Sequence, residues 1–172
     1  MLPRITEIRN WREVRNRFGY PAQIDFIGPF LLFLLRIMAL AKNVFGEDLL
    51  VCSADPLTGF FRNGKCETCG DDQGMHTVCV ELTAEFLKFS KAAGNDLSTP
   101  MPEYHFPGLH PGDRWCLCLP RWLEALEAGV PPKLALKATH ISAIEHISME
   151  VLLEHALDAD GYVHKSIDDE DD

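Results

Sequence analysis

The body of this chain is short of positive charge. Beyond residue 37 it carries ten Lys and Arg against twenty-three Asp and Glu, within a whole-chain net charge of −10. Such a field repels phosphate backbones and anionic lipid headgroups, which disfavours nucleic acid as a partner. Long apolar runs are missing as well. The longest, residues 26–35, has about ten residues, half of what a membrane-spanning helix needs. No internal repeat and no low-complexity linker follows Met38. A phosphate-cradling glycine loop, a dinucleotide fingerprint and a Ser/His/Asp order are all absent, which removes the motif-based routes to a nucleotide enzyme or serine hydrolase. Cysteine is too sparse for a disulfide scaffold, at six in 172 residues. The expectation is reduced thiols in a cytoplasmic protein.

What remains is an ordinary globular composition, 47% apolar and 24% charged. The length suits one domain with a core and is too little for two. Residues 1–37 stand apart, with six Arg against three acids, then the apolar run and Ala39-Leu40-Ala41, which has the look of a cleavage site. Arg36 intrudes between run and site, and Asp25 and Pro29 interrupt a span. A late start at Met38 therefore leads over a targeting segment, and both over a membrane anchor. A membrane partner is expected in the anchor case alone. The acidic end, Asp168-Asp169-Glu170-Asp171-Asp172, reads as solvated and disordered. The expected layout is an extension over 1–37, one domain over 38–164 and a tail over 165–172.

Along the body, Leu49-Leu50-Val51-Cys52, Thr58-Gly59-Phe60-Phe61-Arg62 and His76-Thr77-Val78-Cys79-Val80 read as strands, with Asn63-Gly64 as a hairpin turn. Cys69 to Gly74 is polar and Gly-flanked, hence a loop. A first helix has Thr83 as N-cap, Leu82 and Leu87 as staple and Gly94 as its stop, with Phe86, Phe89, Ser90 and Ala93 inward. A second opens at Pro120, turns Trp122, Leu123 and Leu126 inward and stops at Gly129. Lys133 to Thr139 alternates like a strand. Ser148 caps a last helix, stapled by Ile147 and Leu152 and running through Leu157. Without a βαβ rhythm, the expected fold is a single small α+β domain. Its sheet is mixed or antiparallel, open or curled into a partial barrel, with about three helices.

The stretch 95–114 holds four prolines and two glycines and is unusually long for a connector. Such loops are often functional, and Tyr104, Phe106, Leu109 and Trp115 would pack this one down. The runs Gly94-Asn95-Asp96-Leu97-Ser98-Thr99-Pro100, Phe106-Pro107-Gly108-Leu109 and Pro111-Gly112-Asp113-Arg114-Trp115-Cys116-Leu117-Cys118 are distinctive. With Asn43-Val44-Phe45-Gly46, Asp55-Pro56-Leu57-Thr58-Gly59-Phe60, His76-Thr77-Val78-Cys79 and Ala138-Thr139-His140, they closely resemble an uncharacterised bacterial family. It is the one called domain of unknown function 2237, and the resemblance spans 43–157. It implies a start near Met38 but no activity, substrate or cofactor. It also implies that Cys52, Cys66, Cys79, Cys116, Cys118, His76, Asp96, Asp113, Arg114 and His140 hold typical positions. Cys69 stands where Gly is expected and His110 where Lys is usual, while His105 lies at a variable place.

Cys66-x2-Cys69-x6-His76-x2-Cys79 has the ligand types of a Zn²⁺ site, but His76 and Cys79 are three apart on a strand and would face opposite ways. A looser metal or thiol set is Cys66, His76, Cys79, Cys116 and Cys118, with zinc as its expected ion. Cys116 and Cys118 share a face if their strand continues. The plainer alternative is that strand cysteines are small buried hydrophobes. Asp113 and Arg114 offer a clamp for carboxylate or phosphate, or a structural pair. His140 offers a general base or a cap, and Asp96 with Thr99 a ligand contact or a turn. The leading expectation is a non-catalytic module binding a small molecule or protein through the 95–114 loop, with Asp96, Thr99, Asp113, Arg114 and His140. The alternatives are a metal- or thiol-dependent enzyme and a structural zinc domain built on the cysteine set.

Overall fold

Val78-Cys79-Val80-Glu81 is the β-rich run on which the fold is built, and it forms β1 at the centre of a three-stranded sheet. The computed structural model describes residues 41–159; the extension 1–37 and the tail 165–172 lie outside the described residues. β2 (Arg114–Leu117) pairs antiparallel with β1, Cys79 opposite Cys116 and Val80 opposite Trp115. β3 (Lys133–Leu134) pairs antiparallel along the other edge, giving the order β2-β1-β3. The sheet is open and antiparallel. With three α-helices among the described residues, the domain is small and α+β.

Strand alternation divides the apolar residues between two faces. Val78 and Val80 of β1, with Trp115 and Leu117 of β2, enter the main core. The residues between them, Cys79 and Cys116, enter a second cluster with Cys52, Cys66, Ala135 and Ala138.

The main core is closed by helices. α1 (Ala84–Ala92) starts where Thr83 Oγ1 accepts the Phe86 N–H at 3.1 Å, and it is followed by Gly94 at φ +85°. A left-handed residue there is cheap for glycine and costly for anything with a Cβ. Phe86 is fully buried, worth about 2 to 3 kcal/mol of hydrophobic stabilisation. α2 (Leu119–Glu127) turns Trp122 inward, where its indole N–H donates to the Pro132 carbonyl at 3.0 Å. Pro120 takes the second helical position, where its missing N–H leaves no gap in the ladder. α3 (Met149–Glu154) begins at Ser148, with the Val151 N–H donating to its hydroxyl at 3.4 Å.

Three expectations change. Residues 49–52 and 58–62 form no strands; Leu50 and Val51 are each 52% exposed, and the Leu49 and Leu50 N–H groups go to separate carbonyls at Ala41 and Lys137. With no neighbouring edge to pair along, β propensity has nothing to act on. The strand expected over 133–139 stops at Leu134. Asp158 accepts the Leu136 and Lys137 N–H groups at 2.7 and 3.0 Å, tightening 136–138 into a 3-10 turn. The last helix ends at Glu154 rather than Leu157, and Leu134 instead pairs with Ala156 in a parallel bridge.

Candidate functional site

The buried cysteines are not separate thiols. Cys52 is disulfide-bonded to Cys79 and Cys66 to Cys116, so the expectation of reduced core thiols gives way to two bridges side by side. Each joins a strand residue to the 52–66 segment, and Cys52 and Ser53 both donate to the Gly64 carbonyl, which draws that segment into a loop. Two threonines complete the arrangement from either side. Thr139 Oγ1 accepts the Cys79 N–H at 3.1 Å and Thr58 Oγ1 accepts the Cys116 N–H at 2.8 Å.

The remaining cysteines are free, Cys69 exposed and Cys118 half-buried. The set Cys66, Cys69, His76 and Cys79 therefore does not assemble: its members divide between two disulfides, an exposed thiol and a histidine engaged elsewhere. Nor do Cys116 and Cys118 act together. β2 ends at Leu117, which sends Cys116 into its disulfide and puts Cys118 at the N-cap of α2.

There Cys118 Sγ lies 3.3 Å from Nε2 of His76, and His76 Nδ1 lies 2.6 Å from Asp72 Oδ1. A sulfur, an imidazole and a carboxylate thus stand in line. The Cys69–Gly74 loop builds the third member. Asp72 has its side chain at 0% exposure, and its other oxygen accepts the His76 backbone N–H at 2.8 Å and the Thr68 hydroxyl at 3.1 Å. Met75, at φ +48°, turns the chain between Asp72 and His76, and its carbonyl accepts the Leu119 N–H at 2.9 Å, tying this loop to the start of α2. Non-glycine residues enter that region at a cost, so the turn at Met75 is held there by its surroundings.

Charge follows geometry. His76 is pushed up to about 9, most by its hydrogen bond to Cys118, with burial opposing and Asp72 adding to the rise. Burial pushes the Asp72 carboxyl upward, but the bonds from the His76 ring and backbone, its positive charge and the Thr68 hydroxyl outweigh it, leaving Asp72 below the usual carboxylate range. A carboxylate this buried requires a charged partner. Among the described residues its ion-pair partner is His76. At neutral pH the imidazole is therefore an imidazolium directed at the Cys118 sulfur. A small pocket beside it is lined by Gly59, Phe60, Arg62, His76, Trp115 and Cys116, with the Arg62 guanidinium 5.4 Å from the Trp115 ring centre.

The family is decided by sequence: residues 42–156 match the model of a family described as an uncharacterized protein conserved in bacteria, DUF2237. The chain belongs to the DUF2237 family. No curated protein matches it.

The other sequence-predicted residues of this DUF2237 chain lie in local hydrogen-bond and ion-pair arrangements. Asp96 accepts the Ser98 and Thr99 N–H groups and the Thr99 hydroxyl and pairs with Lys91 at 2.9 Å; the Thr99 hydroxyl and Lys91 hold its carboxyl well below the usual range. Asp113 accepts the His110 N–H at 2.7 Å, and Arg114 faces Glu81 at 3.6 Å across exposed strand ends. His140 caps the turn 141–145 through the Ser142 N–H, and burial lowers it despite the pull of Glu67 and Glu145. The long loop closes on itself, with Leu109 donating to the Leu97 carbonyl and Met101 bridging Phe106, while Phe106 and Leu109 are buried. Sequence reasoning missed Asp72 as the partner of His76 and Cys52 as a member of the cysteine cluster. Asp72, four residues before His76 in a polar Gly-flanked loop, was the available signal.

Proposed function

We propose that this protein is a cysteine-dependent enzyme in which Cys118 is the nucleophile, His76 its proton-carrying partner and Asp72 the group that orients His76. The observation that carries this reading is the 3.3 Å approach of Cys118 Sγ to a His76 ring whose other nitrogen is held by a buried carboxylate. That is the general form of an activated thiol: nucleophile, base, orienter. The helix N-terminus adds to the geometry, because it places the sulfur at the positive end of the α2 dipole as well as beside the His76 ring. Cys118 Sγ makes no capping bond, so the contact to His76 is not in competition with the helix N–H groups.

The same helix end argues about reaction class. An acyl-transfer oxyanion needs N–H donors. Here the Leu119 N–H goes to Met75, Pro120 has none, and Arg121 and Trp122 donate to the Cys118 carbonyl. Attack on a small sulfur electrophile fits better. The Cys118 sulfur forms the new bond to sulfur, and the leaving sulfur departs with the bonding pair and takes a proton from His76. A second substrate thiol, giving its proton to His76, then displaces Cys118 from the mixed disulfide. The pocket edged by Phe60, Arg62 and Trp115 has His76 in its lining and is where such a substrate would rest. A binding module on the 95–114 loop has less support, since Asp96, Thr99 and Asp113 spend their side chains within the loop's own turns.

The test is timed iodoacetamide labelling of the full chain at neutral pH, read by peptide mass spectrometry. Cys118 should be modified at least about tenfold faster than the more exposed Cys69, and H76A should remove the advantage. Labelling of Cys69 first, or a rate at Cys118 indifferent to His76, would sink the proposal.

A further inference from the structure

The sheet face opposite the helices holds the densest concentration of chemistry outside the Cys118 site. Cys79 and Cys116 are directly opposed on neighbouring strands, and Cys52 and Cys66 meet them from the covering loop. All four are buried, at 5% exposure for Cys52, 1% for Cys116 and 0% for Cys66 and Cys79. The sulfurs of Cys52, Cys66 and Cys116 lie within 4.8 Å of one another, and that of Cys79 is bonded to Cys52. The two bridges are thus one knot of four sulfurs rather than two distant staples.

That spacing is close to what a single thiophilic ion needs. With Zn–S bonds of about 2.3 Å, the sulfurs at the corners of a tetrahedron stand about 3.8 Å apart. Opening the bridged pairs and closing the unbridged ones asks for shifts on the order of an ångström, within reach of side-chain rotation. The flanking residues in the cluster, Ala135 and Ala138, are small and apolar. They offer no competing ligand and little to obstruct an ion. Soft thiolates select Zn²⁺ over the harder divalent ions, and four of them form the closed shell of a structural site with no position for substrate.

We propose that Cys52, Cys66, Cys79 and Cys116 form a Zn²⁺ site in the reduced protein, and that this site and the two disulfides are alternative states of one cluster. The electrons balance through a dithiol reductant. Each disulfide accepts two electrons and two protons while one dithiol becomes a disulfide. The four thiols then release four protons as they bind Zn²⁺. In the other direction, two equivalents of a two-electron oxidant, such as a peroxide or a small-molecule disulfide, reform the bridges and expel the ion. The cluster shares no residue with the Cys118, His76 and Asp72 line, although Cys116 also borders the pocket beside His76, and the inference stands whether or not Cys118 is a nucleophile.

The experiment uses the full chain, once reduced with an excess of dithiol and once oxidised, each incubated with zinc chloride, freed of unbound metal and subjected to elemental analysis. The reduced protein should retain about one zinc per chain and the oxidised protein less than about a tenth of that. C118S should retain the full equivalent, while C79S/C116S should lose it. Should the double variant fail to fold, Co²⁺ bound to the reduced wild type carries the test, since tetrahedral coordination by four thiolates has its own intense sulfur-to-cobalt absorption. A reduced chain that takes up no zinc, folded or not, overturns the proposal. So does zinc that disappears in C118S, or a cobalt spectrum with imidazole in the shell, because either would move the ion to the Cys118 and His76 pair.

Discussion

Replacing Asp72 by Asn keeps the shape of the side chain and removes its charge, so it isolates what the buried carboxylate does for His76. The carboxylate oxygen lies 2.6 Å from the ring nitrogen, with the Asp72 side chain wholly out of water. A hydrogen bond with a charged partner contributes about 1.5 to 3 kcal/mol. At 1.36 kcal/mol per pH unit, its loss should lower His76 by roughly 1 to 2 pH units. From about 9 in the wild type, D72N should still titrate above the ordinary 6.5, because the larger cause, the bond to Cys118, survives. C118S should lower His76 further than D72N does. Stability follows with a definite sign. A raised histidine stabilises the fold fully below its unfolded value of 6.5, and that contribution is lost as pH rises through about 9. The depressed Asp72 stabilises above the usual carboxylate range and is lost as pH falls through its folded value. D72N should remove the acid limb and pull the alkaline limb toward neutrality. The assay is nitrogen-15 NMR of histidine-labelled full chain through the pH range, with H76N to assign the resonance and thermal unfolding followed in parallel. A wild-type His76 titrating near 6.5, or a D72N drop exceeding that of C118S, would refute the reasoning.

Three further perturbations bear on the site and its support. Gly74→Ala places a Cβ 2.7 Å from His76 Cε1 and 3.2 Å from Cys118 Sγ, at a backbone angle any residue adopts. The ring must move, so Cys118 labelling should slow roughly 10- to 100-fold with little change in Tm; an unaltered rate would mean the contact is not needed. Thr58→Val removes the acceptor of the buried Cys116 N–H and should cost about 1 to 3 kcal/mol in denaturant unfolding, against less than a few tenths if that N–H finds another partner. Trp122→Ala empties a fully buried site in α2 and should cost about 3 to 5 kcal/mol by the same measurement. A cost near 1 kcal/mol would mean that the main core collapses onto the gap.

Local signals account for most of what the sequence made legible. Thr83, Gly94, Gly129 and Ser148 bound helices because capping and left-handed backbone are decided within a few residues. β1 was legible as a β-rich run, and its residues serve two buried faces. Residues 49–62 were not, because a strand needs a partner edge and that requirement is tertiary. The site followed the same rule. His76 and Cys118 were named for their chemistry, but 42 residues separate them. The end of β2 at Leu117, which turns Cys118 away from Cys116 and toward His76, leaves no mark in the spacing. Asp72 was hidden among acids, Asp71 beside it being exposed, and burial alone distinguishes the two.

The two proposed centres depend on one piece of chain. The loop that brings Cys52 and Cys66 to the strands also carries Phe60 and Arg62 to the pocket beside His76. It is stitched internally as well as by sulfur: the Gly64 N–H donates to the Thr58 carbonyl, and the Cys116 N–H donates to the Thr58 hydroxyl. Gly59 passes so close to the Lys65 carbonyl that any side chain there would collide with it, and at φ +91° glycine is the residue suited to that backbone. These bonds leave the loop little freedom to move apart from its anchors. Whatever holds the four sulfurs, disulfide or ion, therefore also sets where Phe60 and Arg62 stand relative to His76. An enzyme centred on Cys118 would inherit its pocket wall from the cysteine cluster.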